Sequence, residues 1–138
     1  HNGRRRQRQM CIRDRRIALQ ISSYLNDGYI TLREYVTRIE YILKIREFNT
    51  DENKTLFDRD FLEEQIELNE SIELLKADKE QIDKVSMLTN DLSSKMEQLV
   101  ESINSYLSQT EYEMAWKSLA KYKFYRNHLI ELEPMIKQ

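Results

Sequence analysis

Apolar residues recur every three or four positions along most of this chain, the spacing that places them on one face of an α-helix. The clearest run lies within residues 79–108, where gaps of three and four alternate as in a heptad repeat. Its members are Ile82, Val85, Thr89, Leu92, Met96, Leu99, Ile103 and Tyr106. We predict one long helix here, with these residues as its core stripe.

The stretch from Asp58 to Leu75 predicts a helix with two apolar faces. Its core stripe spans about 40° on either side of one direction on a helical wheel and consists of Phe61, Leu68, Ile72 and Leu75. Leu62 and Ile66, which we call the apolar ridge, point about 100–140° away from that stripe. Spacing alone leaves two interpretations open: a further element covers the ridge, or the ridge binds a partner. Asp58 or Asp60 is the expected N-cap.

The last helix of the pattern begins at a predicted capping box. Thr110 and Glu113 have the three-residue spacing of that motif, and an apolar stripe follows them. Its members are Tyr112, Ala115, Trp116, Leu119, Tyr122, Leu129 and Ile130. Phe124 points away from most of this stripe, and Pro134 marks fraying or a kink near the end of the helix.

Upstream of the Asp58 helix, the pattern is shorter and less regular. Residues 16–46 predict two short helices that meet at Thr31, and residues 47–57 lose periodicity and predict a polar linker. Three helices with short connections form a bundle. The predicted fold class is therefore all-α, with a three-helix bundle over residues 58–138 preceded by a short helical segment.

The composition agrees with a helical protein and indicates the cellular compartment in which it occurs. The chain has two Gly, one Pro and 33% charged residues, and no apolar stretch has the length of a membrane span. The single cysteine, Cys11, excludes an internal disulfide and fits a reducing compartment. We expect a cytoplasmic protein with no membrane partner.

The first 15 residues form a separate basic arm on an acidic body. Seven Arg stand against one Asp in residues 1–16, which is the charge pattern of nucleic-acid contact. The arm has no interleaved aromatic residue to stack on bases, and the acidic body repels phosphate, so we expect no nucleic-acid partner. Its string RQMCIRDR resembles translated sequencing-adapter sequence. We interpret residues 1–15 as non-native or disordered.

Side chains that could perform catalysis are not brought together by the sequence. His1 and His128 are far apart, and neither has an acidic residue or Cys at ligand spacing. We expect His128, beside Asn127, on the solvated surface. Gly3 and Gly28 form no phosphate loop, and no Ser or Thr has a base at a suitable spacing. We expect neither enzymatic activity nor a cofactor.

Three segments resemble the HscB-type co-chaperones of iron–sulfur cluster assembly. The run DRDFLEEQIELNESIE resembles the start of that family's C-terminal domain, and WKSLAKYKFYRNHLIELE is similar to its last helix. Upstream, LNDGYITLREYVTRIEYIL resembles the end of its J-domain. The segments occur in the family's order and cover about Ala18 to Gln138.

The resemblance implies a co-chaperone with two protein partners. In the family, the C-terminal bundle binds the iron–sulfur cluster scaffold protein, and the J-domain stimulates the ATPase of a dedicated Hsp70 to which the scaffold is delivered. The scaffold-binding positions carried over by motif are Leu62, Glu63, Ile66, Glu67, Glu70 and Phe124. Periodicity separately placed Leu62, Ile66 and Phe124 off the core stripes.

The chain also departs from the family pattern. Glu63 stands at an apolar position of the binding surface, Tyr35 at a Pro and Gly28 at an Ala. The His-Pro-Asp signature of the J-domain is missing, so we interpret residues 16–46 as a J-domain remnant and expect the chain to bind the scaffold protein but not to stimulate the Hsp70. The alternative is a generic helical-bundle or coiled-coil protein that self-associates through the apolar ridge and Phe124.

Because the basic arm has no apolar periodicity, we predict that it is dispensable for folding. A chain that begins at Arg16 should melt within a few degrees of the full chain in a circular dichroism experiment. A large fall in the melting temperature would show instead that the arm packs on the body.

Overall fold

The structure is a computed structural model that describes residues 30–49, 57–78 and 81–136. These ranges contain four helices and no strand: α1 (Ile30–Ile45), α2 (Arg59–Ala77), α3 (Ile82–Ser108) and α4 (Tyr112–Ile136). The predicted all-α fold class is confirmed. The basic arm, the first predicted helix of the 16–46 segment and most of the linker lie outside the described residues.

Helix α2 forms where its sequence signals predict it. The Asp58 side chain caps its start, since Oδ1 accepts a hydrogen bond from the Phe61 backbone N–H at 2.8 Å. Asp60 in the first turn and Lys76 in the last complement the helix dipole. The four predicted core residues are its four buried residues, so the core stripe of α2 is confirmed.

The core stripe of α3 differs from the predicted heptad at three positions. Its buried residues are Val85, Thr89, Leu92, Met96, Val100 and Ile103. Ile82 is 49% exposed, whereas Leu99 and Tyr106 pack half-buried at the edge of the core. A helix with 3.6 residues per turn drifts away from a strict 3.5-residue repeat, and this moves Val100 into the stripe.

The turn between α3 and α4 is a Schellman motif, and the capping box predicted at Thr110 is wrong. The Glu111 N–H donates to the Tyr106 carbonyl at 2.8 Å, and the Thr110 N–H donates to the Leu107 carbonyl at 3.2 Å. This pairing requires a left-handed residue at Thr110, whose φ is 58°. Its hydroxyl donates to the Gln109 carbonyl, and α4 begins two residues later.

The three helices α2–α4 form an up-down-up bundle. Phe61 near the start of α2 contacts Tyr125, with ring centroids 6.0 Å apart, and Lys76 near its end bonds to Glu131. Contacts therefore advance in the same direction along α2 and α4, and α3 runs back between them through short connections. Helix α4 continues through Pro134 to Ile136.

Helix α1 packs on the bundle rather than standing apart from it. The rings of Tyr35 and Tyr122 lie 5.0 Å apart, and Lys123 Nζ lies 3.2 Å from Glu40 Oε2. Five residues of α1 are buried in the common core: Leu32, Tyr35, Val36, Ile39 and Leu43. The C-terminal part of the predicted 16–46 segment thus shares its core with the three-helix bundle.

The strained turn generates a prediction about stability. A β-branched residue is disfavoured at positive φ, and glycine is not, so Thr110→Gly should raise the free energy of unfolding by about 1 kcal/mol. Gln109→Gly is the matched control, because Gln109 has a φ of −92° and should gain nothing. Urea denaturation measures both. Destabilisation by Thr110→Gly would mean that the threonine hydroxyl matters more than the backbone strain.

Candidate functional site

The apolar ridge is exposed on α2. Leu62 is 47% exposed and Ile66 is 59% exposed, and residues four apart lie side by side on a helix. In the part of the chain that the structure describes, no helix covers them. The first of the two interpretations, a covering element, therefore finds no support among the described residues, which leave the ridge open to solvent.

Phe124 is half-buried and does not stand out from the surface as the ridge does. Its ring meets the Phe61 ring at 5.4 Å and 75°, and it packs against the common core. The helical wheel correctly places Phe124 off the main stripe of α4. It does not reveal that Phe61 of α2 comes up against it, because that contact depends on how two helices pack.

The ion pair between Lys76 and Glu131, read together with the helical wheels, indicates on which side of the seam between α2 and α4 the ridge lies. Lys76 of α2 bonds to Glu131 of α4, so these residues mark the facing edges of the two helices. Leu62 lies about 40° from Lys76 on the α2 wheel, and Phe124 about 20° from Glu131 on the α4 wheel. The wheels therefore place Leu62 and Phe124 on the same side of this seam, with Ile66 farther out on α2.

The other three predicted site residues, Glu63, Glu67 and Glu70, are exposed on the outer face of α2. Glu63 forms an ion pair with Arg59 at 3.2 Å, and such an exposed pair contributes little stability. Acidic side chains spaced three and four apart repel one another on a helix. The outer face of α2 therefore presents an acidic rim beside the apolar ridge, and it suits a partner with basic groups.

Glu64, which the sequence analysis did not single out, fixes the rotation of α2. Its Oε1 accepts hydrogen bonds from Lys95 Nζ of α3 and from the Tyr125 hydroxyl of α4, both at 2.7 Å. Burial alone raises the pKa of Glu64, but these two bonds outweigh it and hold the pKa below its ordinary value. The available signal was its position on the wheel, about 40° from Leu68.

His128 is buried at 7% exposure, so its expected place on the solvated surface is wrong. Its Nδ1 lies 3.2 Å from Glu131 Oε2, and its ring lies 4.5 Å from that of Phe124. The carboxylate supplies the polar partner that a buried imidazole needs. This partner lies three residues later in the sequence, on the same face of α4.

Two classes of feature are absent from residues 30–49, 57–78 and 81–136. No group of three or more His, Cys, Asp or Glu side chains there could hold a metal ion. None of the helices in these ranges combines the length and the apolar character needed to cross a membrane.

The sequence of the chain is similar to one family of known proteins. Residues 57–133 match the family model described as the HSCB C-terminal oligomerisation domain. The chain is similar to a co-chaperone protein HscB homolog of Shewanella woodyi, with 32% identity over 124 residues that cover 87% of this chain and 71% of the relative. A homolog of the same name from Vibrio cholerae is 30% identical over 113 residues, covering 81% of this chain and 66% of the relative.

These alignments extend well upstream of residue 57, so the likeness includes part of the chain that precedes the bundle. No solved structure matches the chain significantly.

The Glu64 hydrogen bonds generate a prediction about pH. Because the pKa of Glu64 is lower in the folded state, its stabilising effect is present at neutral pH and is lost as the pH falls below the ordinary value of 4.5. Glu64→Gln should therefore lower the free energy of unfolding by roughly 1 kcal/mol at pH 7 and by less at pH 3. Urea denaturation at both pH values measures this, with the exposed Glu67→Gln as control. Equal losses at the two pH values would contradict the assignment.

Proposed function

This chain belongs to the family of HscB co-chaperones, and we propose that it acts in iron–sulfur cluster assembly by binding the cluster scaffold protein. The observation that carries the proposal is the exposure of Leu62 and Ile66, which stand at positions that the resemblance assigns to scaffold binding. We assign α2–α4 to the scaffold-binding domain and α1 to the end of a J-domain.

The chemistry of the surface supports a protein partner. Apolar side chains that lose their water at the centre of an interface supply most of its binding energy, and Leu62 and Ile66 are suited to that part. Phe124 adds a partly exposed aromatic edge at the same seam. The acidic rim, which consists of Glu63, Glu67 and Glu70, favours a partner with basic residues and speeds its approach.

The placement of α1 supports a two-sided arrangement of partners. Helix α1 packs against Tyr122 of α4, which lies about 160° around that helix from Phe124. We propose that the scaffold protein approaches the α2 side of the bundle, and that the J-domain side of a complete co-chaperone presents it to an Hsp70-family chaperone. On this arrangement the two partners do not compete for one surface.

Self-association is a second candidate function, since the matched family description itself names oligomerisation. The same apolar ridge would then lie between two copies of the chain. Sedimentation velocity separates the candidates: a monomer at micromolar concentration that binds the scaffold supports the first. A dimer that dissociates when Leu62 is changed to Ala supports the second.

We predict that the apolar ridge contributes to binding and not to folding. Leu62→Ala and Ile66→Ala should each weaken binding to a purified bacterial iron–sulfur cluster scaffold protein about tenfold, with unchanged melting temperatures. Leu74→Ala is the matched control, because Leu74 is 71% exposed on the same helix but outside the ridge. Isothermal titration calorimetry measures the affinities.

Two further variants calibrate this experiment. Leu92 is fully buried, so Leu92→Ala should cost about 2–5 kcal/mol of stability. Phe124→Ala should lower both affinity and stability, since its half-buried ring packs on Phe61. If Leu62→Ala and Ile66→Ala unfold the protein, or if both bind like the Leu74 variant, the ridge is not the binding surface.

A further inference from the structure

A buried imidazole is in contact with the aromatic ring that the proposed function places at the scaffold interface. The rings of His128 and Phe124 are 4.5 Å apart at an interplanar angle of 81°. Phe124 also touches Phe61 at 5.4 Å and Tyr125 at 5.6 Å. Of these three neighbouring rings, that of His128 has the centroid nearest to the Phe124 ring.

The His128 ring is itself held by a hydrogen bond. Lys76 of α2 bonds to Glu131 Oε1 and lowers the pKa of Glu131, so that this side chain is a carboxylate near neutral pH. A carboxylate only accepts hydrogen bonds. The His128 Nδ1, 3.2 Å from Glu131 Oε2, therefore carries the hydrogen, and the orientation of the imidazole is fixed.

The contacts form one continuous path across the seam between the two helices. Lys76 of α2 bonds to Glu131, Glu131 accepts from His128, and His128 packs against Phe124. An apolar side chain of similar size at position 128 could fill the space, but Glu131 could not orient it. These contacts therefore determine the orientation of the His128 imidazole as well as filling the space between the helices.

We propose that His128 is a positioning residue, which Glu131 orients and which holds the Phe124 ring in the conformation that meets the scaffold protein. The proposal rests on the proposed function, because it concerns how well a residue of that interface is prepared for binding. A ring that is already oriented loses less conformational freedom when the partner binds.

The test combines affinity, stability and ring conformation. His128→Leu keeps an apolar side chain in place and removes the oriented ring, so scaffold binding should weaken about threefold to tenfold, the range expected of one aromatic pair, while the melting temperature is retained. Glu131→Ala should weaken binding in the same way. Glu131→Gln keeps an acceptor for Nδ1–H and should bind more tightly than Glu131→Ala.

The double variant and the free protein provide two independent readouts. If both residues act through Phe124, His128→Leu combined with Glu131→Ala should bind no more weakly than His128→Leu alone. The aromatic resonances of Phe124, identified by Phe124→Leu, should shift in the free His128→Leu protein. Nuclear Overhauser contacts between Phe124 and Phe61 should change with them.

The outcomes separate this proposal from the proposed function. If the wild type binds the scaffold and Leu62→Ala weakens binding while His128→Leu does not, the role of His128 is overturned and the ridge stands. Losses of affinity that merely follow losses of melting temperature also overturn it. If the wild type does not bind the scaffold protein at all, the proposed function fails and this inference fails with it.

Discussion

The hydrogen bonds of Glu64 are the interaction on which the functional surface depends. A helix with two apolar faces can bury either of them, and its rotation decides which face meets the solvent. Phe61 and the rest of the stripe favour one rotation by their burial. Glu64 favours the same rotation, because its carboxylate is bonded to Lys95 of α3 and to Tyr125 of α4. The apolar ridge is exposed because the opposite side of α2 is doubly fixed.

The sequence could predict several features that depend on one helix at a time, although the heptad predicted for α3 missed Val100 and included Ile82, Leu99 and Tyr106. The core stripe and the Asp58 cap of α2 are both confirmed, since wheel position and capping are local properties. Two predictions failed where a second element intervened. Thr110 takes part in the end of α3 rather than the start of α4. His128 is buried, and its hydrogen-bond partner is Glu131, which is itself tied to Lys76 of another helix. The contact between Lys76 and Glu131 joins two helices, and a pair of that kind has no regular spacing in the sequence.

In the candidate site, too, the sequence predicts what depends on one helix and misses what depends on contact between two. Exposure of Leu62 and Ile66 follows from the wheel once the core stripe is known, and the structure shows it. The half-buried state of Phe124 does not follow, because it reflects aromatic contact with Phe61 across the seam. Phe124 therefore belongs both to the core and to the surface, and its surroundings must be rigid enough to keep its edge available. On our proposal, the His128 imidazole beside Phe124 supplies that rigidity.

The acidic rim links the stability of α2 in the free protein to the affinity for a partner with basic groups. Glu63, Glu67 and Glu70 stand at spacings where like charges destabilise a helix, and only an exposed pair with Arg59 relieves Glu63 within the described residues. A partner that brings basic groups to this face removes the repulsion as it binds, so part of the binding free energy also stabilises α2. Any ligand that binds only the folded state raises the stability of that state. Salt screens repulsion and attraction alike, so added salt should strengthen α2 in the free protein and weaken the complex, and the apolar ridge alone should hold the partner at high ionic strength.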